Sequence, residues 1–410
     1  MTVGQLGMKH PSLAGMVGAI RVAISREAMH YRFTAAAVAF MKKCLDYVLM
    51  QKVSVMVSLE ANLLNHFRRI LIVDSTNWDI SPKLRDVLPG SRGKASEANC
   101  KVQACYEYKQ GELGFFELTS GITPDNAYTA YLPGHLRQGD LILFDLGYFS
   151  TKTFFEIGLI GAYFLSRLHI RISLFDPASC IPIDLYGILM KIKGDIHQMT
   201  VTLGNNKETP VVCRLVCLRV SPEIAEQRRR KLISNARKKG RTPSHKNLLL
   251  TDWTLMITNV PAQWLPAEMV RHFYALRWQI EVLFKQLKTV LCIHKSNTGK
   301  ENRLRCEIYG KLITAVLIHR VHAEINIRLW NTNKRELSME KLYKRFQERA
   351  FIILDLLLLS LHKAIEYLQN EIPRLLKNCL KSQQRSRRTT LDMLELGTCK
   401  QLTPTMLYAA

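Results

Sequence analysis

Apolar positions change their period several times along the chain. Over 24–31 and 33–50 they recur at helical spacing, with Arg21, Arg26, Arg32, Lys42 and Lys43 on the polar side, so residues 1–66 are expected to be helical. From residue 69 short apolar runs take over. RILIVDST is followed by KVQACYEYK (101–109) and LGFFELT (113–119), divided by the turn-like Gln110-Gly111-Glu112, and then by GDLILFD (139–145). TKTFFEIGLIGA reads as a helix and YFLSRLHI (163–170) as a further strand. Strands in a run, then strands alternating with helices, predict an α/β fold built on a mixed sheet flanked by helices. Between 170 and about 250, IRISLFD, HQMTVTLG and TPVVCRLVCLRV are short and β-branched, which predicts a mostly antiparallel, β-rich insertion. TDWTLMITN returns to a strand. Residues 265–290 are expected to form one strong helix, with Pro266 in its first turn, Glu268 early, and Lys285 and Lys288 late. Beyond 302 the pattern is helical and basic and ends in the polar run KSQQRSRRTT.

Length and charge narrow the function. A chain of 410 residues, 47% hydrophobic, has room for two or three domains with a buried core. Lys and Arg number 58 against 34 acidic residues, an excess of +24. Such an excess repels itself unless a polyanion covers it, so nucleic acid is the expected partner. No apolar run reaches the roughly 18 residues that span a bilayer. The longest, 351–361, is interrupted by Asp355 and reads as a buried helix. The N-terminus lacks a signal-peptide apolar region, so the expected location is cytoplasmic. The ten cysteines form no CxxC pair, and Cys213 and Cys217 share one strand face without further ligands nearby. They read as buried thiols rather than a zinc site.

Three carboxylates stand out by position. Asp74 and Asp145 each close an apolar strand, where a carboxylate is costly unless a cation or donor meets it. Two of them on neighbouring strands repel each other unless metal is bound. Glu281 is the third, on FYALRWQIEVLFKQLK. In a continuous helix, Tyr274, Arg277, Glu281 and Lys288 fall within an arc of roughly 60°, beside an apolar arc of Phe273, Leu276, Ile280, Leu283, Phe284 and Leu287. An amphipathic helix with ordinary Arg–Glu pairing has the same pattern. The basic stretch 228–241, with Arg229, Arg230, Lys238 and Lys239, is expected to contact the DNA backbone rather than form a free solvated loop. Residues 1–66 suit either a helical DNA-contacting module or a helical arm with a solvated basic face.

Taken together these residues resemble the DDE transposases of bacterial insertion sequences, specifically the IS4 family. Tyr274-x2-Arg277-x3-Glu281-x6-Lys288 is similar to the family's signature around its third acidic residue. Asp145-Leu146-Gly147-Tyr148 is similar to the motif around the second Asp, and Val73-Asp74-Ser75-Thr76 to that around the first. YFLSRL (163–168) and ITNVPAQW (257–264) also look like the family. The resemblance spans about 66–300 and implies an RNase H-like catalytic domain over 67–300 containing the β-rich insertion; composition and length alone make 1–66 a helical DNA-binding region and 301–410 a helical basic region. The resemblance also implies that Asp74, Asp145 and Glu281 are both catalytic and metal-ligating, holding two Mg²⁺ ions with Mn²⁺ as a substitute. Tyr274, Arg277 and Lys288 would contact DNA phosphates. The partners implied are double-stranded DNA, at the element's ends and at the target, and a second copy in a homodimeric complex at the nucleoid. Trp253 stands where hairpin-forming relatives place the tryptophan that receives a flipped-out base; the other reading is an ordinary core residue. Two rival functions share parts of this pattern: a non-catalytic DNA-binding derivative, and a metal-dependent nuclease of the same core that lacks strand transfer.

Overall fold

The computed structural model describes residues 12–20, 23–51, 63–90, 97–205, 208–296 and 298–382. Most of the polar run that begins at Lys381 lies outside them, as do residues 1–11. In chain order the helices and strands are α1 (Leu13–Ile20), α2 (Arg26–Tyr31), α3 (Ala35–Met50), β1 (Ile70–Asp79), β2 (Asn99–Glu107), β3 (Glu112–Ser120), α4 (Asp125–Tyr128), β4 (Leu141–Phe144), α5 (Thr151–Leu159) and β5 (Tyr163–Arg167). There follow β6 (Leu174–Phe175), α6 (Leu185–Lys191), β7 (Ile196–Leu203), β8 (Val211–Arg219), α7 (Pro222–Arg237), α8 (His245–Leu250), β9 (Trp253–Thr258), α9 (Val270–Tyr274), α10 (Trp278–Thr289), α11 (Glu301–Asn333), α12 (Met339–Leu359) and α13 (Leu361–Asn378). Among the described residues nine strands hydrogen-bond in the order β3-β2-β1-β4-β5-β9-β8-β7-β6. The pair β4–β5 is parallel, whereas β2–β3, β5–β9, β9–β8, β8–β7 and β7–β6 are antiparallel. This is the mixed α/β sheet expected of an RNase H-like core, with β6, β7 and β8 as the antiparallel insertion.

By compactness the described chain divides into two units. The first contains the N-terminal helices, 73–124 and 278–382; the second contains 63–72 and 125–277. In the first unit, β2 is buried at eight of its nine positions, and the 33-residue α11 is buried along much of its length. Helix starts here follow local chemistry: the Ser25 and Thr34 hydroxyls accept from the N–H of Ala28 and Ala37, meeting N–H groups that the first helical turn leaves unpaired. The turn after β2 needs Gly111 at φ +68°, and a Cβ there would stand 2.8 Å from that of Ala323 on α11. In the second unit the buried Asp140 anchors the start of β4. Arg69 pairs with it, Arg137 N donates to it at 2.8 Å, and Arg69 also donates to the His135 carbonyl at 3.0 Å. A buried carboxylate so surrounded is met rather than stranded.

Three expectations are corrected. Asp74 does not end its strand: β1 continues to Asp79, because Thr76 and Trp78 are buried while Asn77 and Asp79 are exposed, the period of a half-buried strand. Residues 265–290 do not form one helix. A 3₁₀ turn over Ala275–Arg277 separates α9 from α10, and it turns about 120° per residue rather than 100°, which displaces Tyr274 from the face carrying Glu281. The run 351–361 is not buried. Phe351, Leu358, Leu359 and Leu361 are exposed, Leu359 by 73%, and α12 ends with Ser360 outside it. An all-round apolar run on a helix packed along one side leaves its other side in water. The nine described cysteines are free, and all but Cys44 and Cys180 are buried.

Candidate active site

In the first unit one predicted residue reaches the strand that carries another. Lys288, late on α10, donates to the Asn77 carbonyl of β1 at 3.1 Å, three residues beyond Asp74. Asp74 is half-buried and accepts from the Ser75 N–H at 2.8 Å. Glu281, also half-buried, lies seven residues before Lys288, so the two share a face of α10. Burial holds the Lys288 ammonium below its ordinary pKa, and among the described residues no carboxylate pairs with it. Beside it lies a cleft of about 530 Å³ lined by Trp78, Lys288, Thr289, His294 and Lys295. Only Lys288 of these five was singled out by motif. The rest were missed because His294 and Lys295 follow the helix without any regular spacing, and Trp78 reads as a core aromatic.

In the second unit Asp145 stands directly after β4, as expected. It is half-buried, and its side chain caps no N–H of the 3₁₀ turn that follows. The Tyr274 hydroxyl donates to the carbonyl of Phe144 at 3.3 Å and so ties α9 to the residue before Asp145. The Arg277 guanidinium lies 6.0 Å from the centre of the Tyr274 ring. Trp253 is 3% exposed, with the Arg219 guanidinium 4.3 Å over its ring, so a base could reach it only by displacing Arg219. Trp278, on α10, is 62% exposed.

The basic stretch is helical as far as Arg237, and 238–240 form the turn that follows. Arg228 donates to the Trp253 carbonyl at 3.1 Å and to the Thr254 hydroxyl at 3.0 Å. Arg229 pairs with Asp252, and Arg230 with Glu226 at 2.9 Å. Lys238 and Lys239, at the end of α7, are exposed and carry no ion pair among the described residues.

As donors, Asp74, Asp145 and Glu281 suit a hard divalent cation, being carboxylates that all keep some exposure. They are not drawn into a ready-made cluster: among the described residues, no three His, Cys, Asp or Glu side chains are gathered closely enough to hold a metal ion. No described helix is long and apolar enough to cross a membrane.

Known proteins share this chain's sequence over most of its length. The transposase for insertion sequence element IS231E of Bacillus thuringiensis subsp. finitimus is 30% identical over 396 residues, 90% of this chain and 81% of that one. The IS231F transposase of B. thuringiensis subsp. israelensis is 29% identical over 396 residues, with the same coverage. The IS1151 transposase of Clostridium perfringens is 26% identical over 398 residues, 91% of this chain and 82% of that one. A family model described as the transposase DDE domain matches residues 65–317, an interval that contains Asp74, Asp145 and Glu281. With the carboxylates, the mixed sheet and these relatives in view, the chain belongs to the DDE-domain family of insertion-sequence transposases.

Proposed function

We propose that this protein is an active transposase that binds the ends of its element, cleaves DNA strands in the presence of Mg²⁺ and joins the liberated 3′-OH to target DNA, using Asp74, Asp145 and Glu281. The observation that carries the reading is the bond between Lys288 and the Asn77 carbonyl. Counting back from it, three residues of strand to Asp74 and seven of helix to Glu281 each cover about 10 Å, so with the two elements running the same way their carboxylates would stand at one level. Divalent ions bound by the carboxylates would supply an activated attacking oxygen and charge for the leaving 3′ oxygen.

The chain's own residues have distinct tasks. Arg277 and Lys288 neutralise phosphate charge on the bound strand, and Tyr274 holds the backbone next to Asp145 through the Phe144 carbonyl. Lys238 and Lys239 offer exposed cations to the DNA backbone, whereas Arg229 and Arg230 reach it only by sharing their carboxylate partners. Base stacking on Trp253 in a hairpin step requires Arg219 to swing off the ring. The synaptic form would be a homodimer working at the nucleoid, with Mn²⁺ able to replace Mg²⁺. The presence of all three carboxylates argues against a non-catalytic DNA-binding derivative. A nuclease without strand transfer shares the same triad, so the test is a strand-transfer assay. Pre-cut element ends bearing a 3′-OH should be joined to a target plasmid in Mg²⁺; nicking without any joined product supports the nuclease instead.

A further inference from the structure

Of the residues that line the cleft in the first unit, only Lys288 has a task in the proposed reaction. Trp78, Lys288, Thr289, His294 and Lys295 surround about 530 Å³, in the range of sites that hold a small ligand group. Among the described residues no acidic side chain lines it, and three of the five that do are basic. Lys288 meets only a backbone carbonyl, and Lys295 is exposed without an ion pair among the described residues. Trp78 is 6% exposed, its Nε1 has no hydrogen-bond partner, and its ring gives one wall an apolar surface. Cations above an apolar wall match a sugar–phosphate unit better than they match a carboxylate substrate or an apolar ligand.

Two elements lead from the carboxylates to this cleft. Trp78 is four residues after Asp74 on the same face of β1, about 13 Å along the strand. Lys288 is seven residues after Glu281 on α10, about 10 Å along the helix. Phosphates of one strand follow each other about every 3.4 Å along a duplex axis, so the cleft lies about three to four phosphates from the cut.

We infer that this cleft is a separate DNA-backbone subsite that grips the phosphodiester about three to four positions from the scissile one, between Lys288 and Lys295 with the deoxyribose against Trp78. The inference rests on the proposed function, because it takes the position of the cut from the three carboxylates.

The test uses the full chain and end-containing duplexes in which one phosphate at a time is replaced by an uncharged methylphosphonate. Binding is measured for the parent, for Lys295→Glu, and for Lys363→Glu as a control of equal charge change on α13. Lys295→Glu should weaken binding of the unmodified duplex about tenfold and lower the salt slope by about one phosphate contact, with Lys363→Glu costing less than twofold. A methylphosphonate three to four positions from the cut should weaken the parent yet leave Lys295→Glu unchanged. Equal losses for the two lysine variants, or coupling of Lys295 only to the scissile phosphate, would overturn the subsite. Failure of the proposed function reads differently: the parent then shows no Mg²⁺-dependent strand cleavage, whatever the pattern of phosphate coupling.

Discussion

Helix α7 and the cleft at the end of α10 are both rich in cations, and their cations do different things. On α7, Arg228 holds strand β9 through the Trp253 carbonyl and the Thr254 hydroxyl, Arg229 pairs with Asp252, and Arg230 with Glu226. In the cleft, Lys288 meets one backbone carbonyl and Lys295 meets no carboxylate among the described residues. The helix has the higher density of positive charge in sequence, but Arg228, Arg229 and Arg230 are already met, whereas the cleft lysines, like Lys238 and Lys239 at the end of the helix, meet no carboxylate among the described residues. Charge that already has a partner holds a fold together; charge without one awaits an anion. A basic stretch therefore says little about where DNA lies until its partners are known.

The largest effect that sharpens this contrast is expected at Lys288. Lys288→Glu should weaken end binding by about a hundredfold, since it removes a phosphate contact and adds repulsion. Its melting temperature should fall by no more than about a degree or two, since the one hydrogen bond lost is that to the Asn77 carbonyl. A fall of several degrees would make Lys288 a structural residue. Arg228→Ala should behave in the opposite way. It strands the groups that the guanidinium now meets, at a cost of about 1–3 kcal/mol, so the melting temperature should fall by several degrees. Salt dependence of binding by the folded fraction should stay as in the parent, and a shallower slope would put Arg228 on DNA.

The first unit also buries a pair of histidines on α11, of which His322 meets the Leu337 carbonyl at 3.0 Å. Burial pushes His319 down to about 3 and His322 down to about 4, and neither ring nitrogen of His319 has a partner. Both are neutral in the folded chain above pH 4, whereas unfolded histidine takes up a proton below about 6.5. The unfolded state thus binds more protons between these values, and stability falls as pH drops from about 6.5 toward 4. His319→Phe should reduce the drop in melting temperature between pH 7.5 and 5; an unchanged drop would remove His319 from the acid response. The smallest effect is expected at the end of α7. Lys238→Ala and Lys239→Ala should each weaken DNA binding two- to threefold without moving the melting temperature, and no change in either would leave these lysines as solvated charge.

Legibility in sequence followed the range of the interaction. Strands β2, β3, β5 and β8 and the antiparallel insertion could be read from local period, and Asp145 stands after β4 where the GDLILFD run ends. The 3₁₀ turn at Ala275–Arg277 could not be read, because a helix and a 3₁₀ turn differ by only 20° per residue over three residues. The continuation of β1 past Asp74 was present as the alternation of Thr76, Asn77, Trp78 and Asp79, but the carboxylate drew attention as an end. Partners were invisible. Nothing in the sequence says that Asp252 meets Arg229, that Arg219 covers Trp253, or that Lys295 has no ion pair among the described residues, since each depends on residues distant along the chain.

The central claim is that Asp74, Asp145 and Glu281 carry one metal-dependent reaction. The most direct measurement is a time course of strand cleavage on end-containing DNA, with and without Mg²⁺, for the parent and for Asp74→Asn, Asp145→Asn and Glu281→Gln, beside a melting curve and a binding isotherm for each. The account predicts Mg²⁺-dependent cleavage by the parent and a loss of about a thousandfold or more in every variant, with end binding retained and stability unchanged or slightly higher as like charges are removed. Parent-like Mg²⁺-dependent cleavage by any one of the three would contradict it.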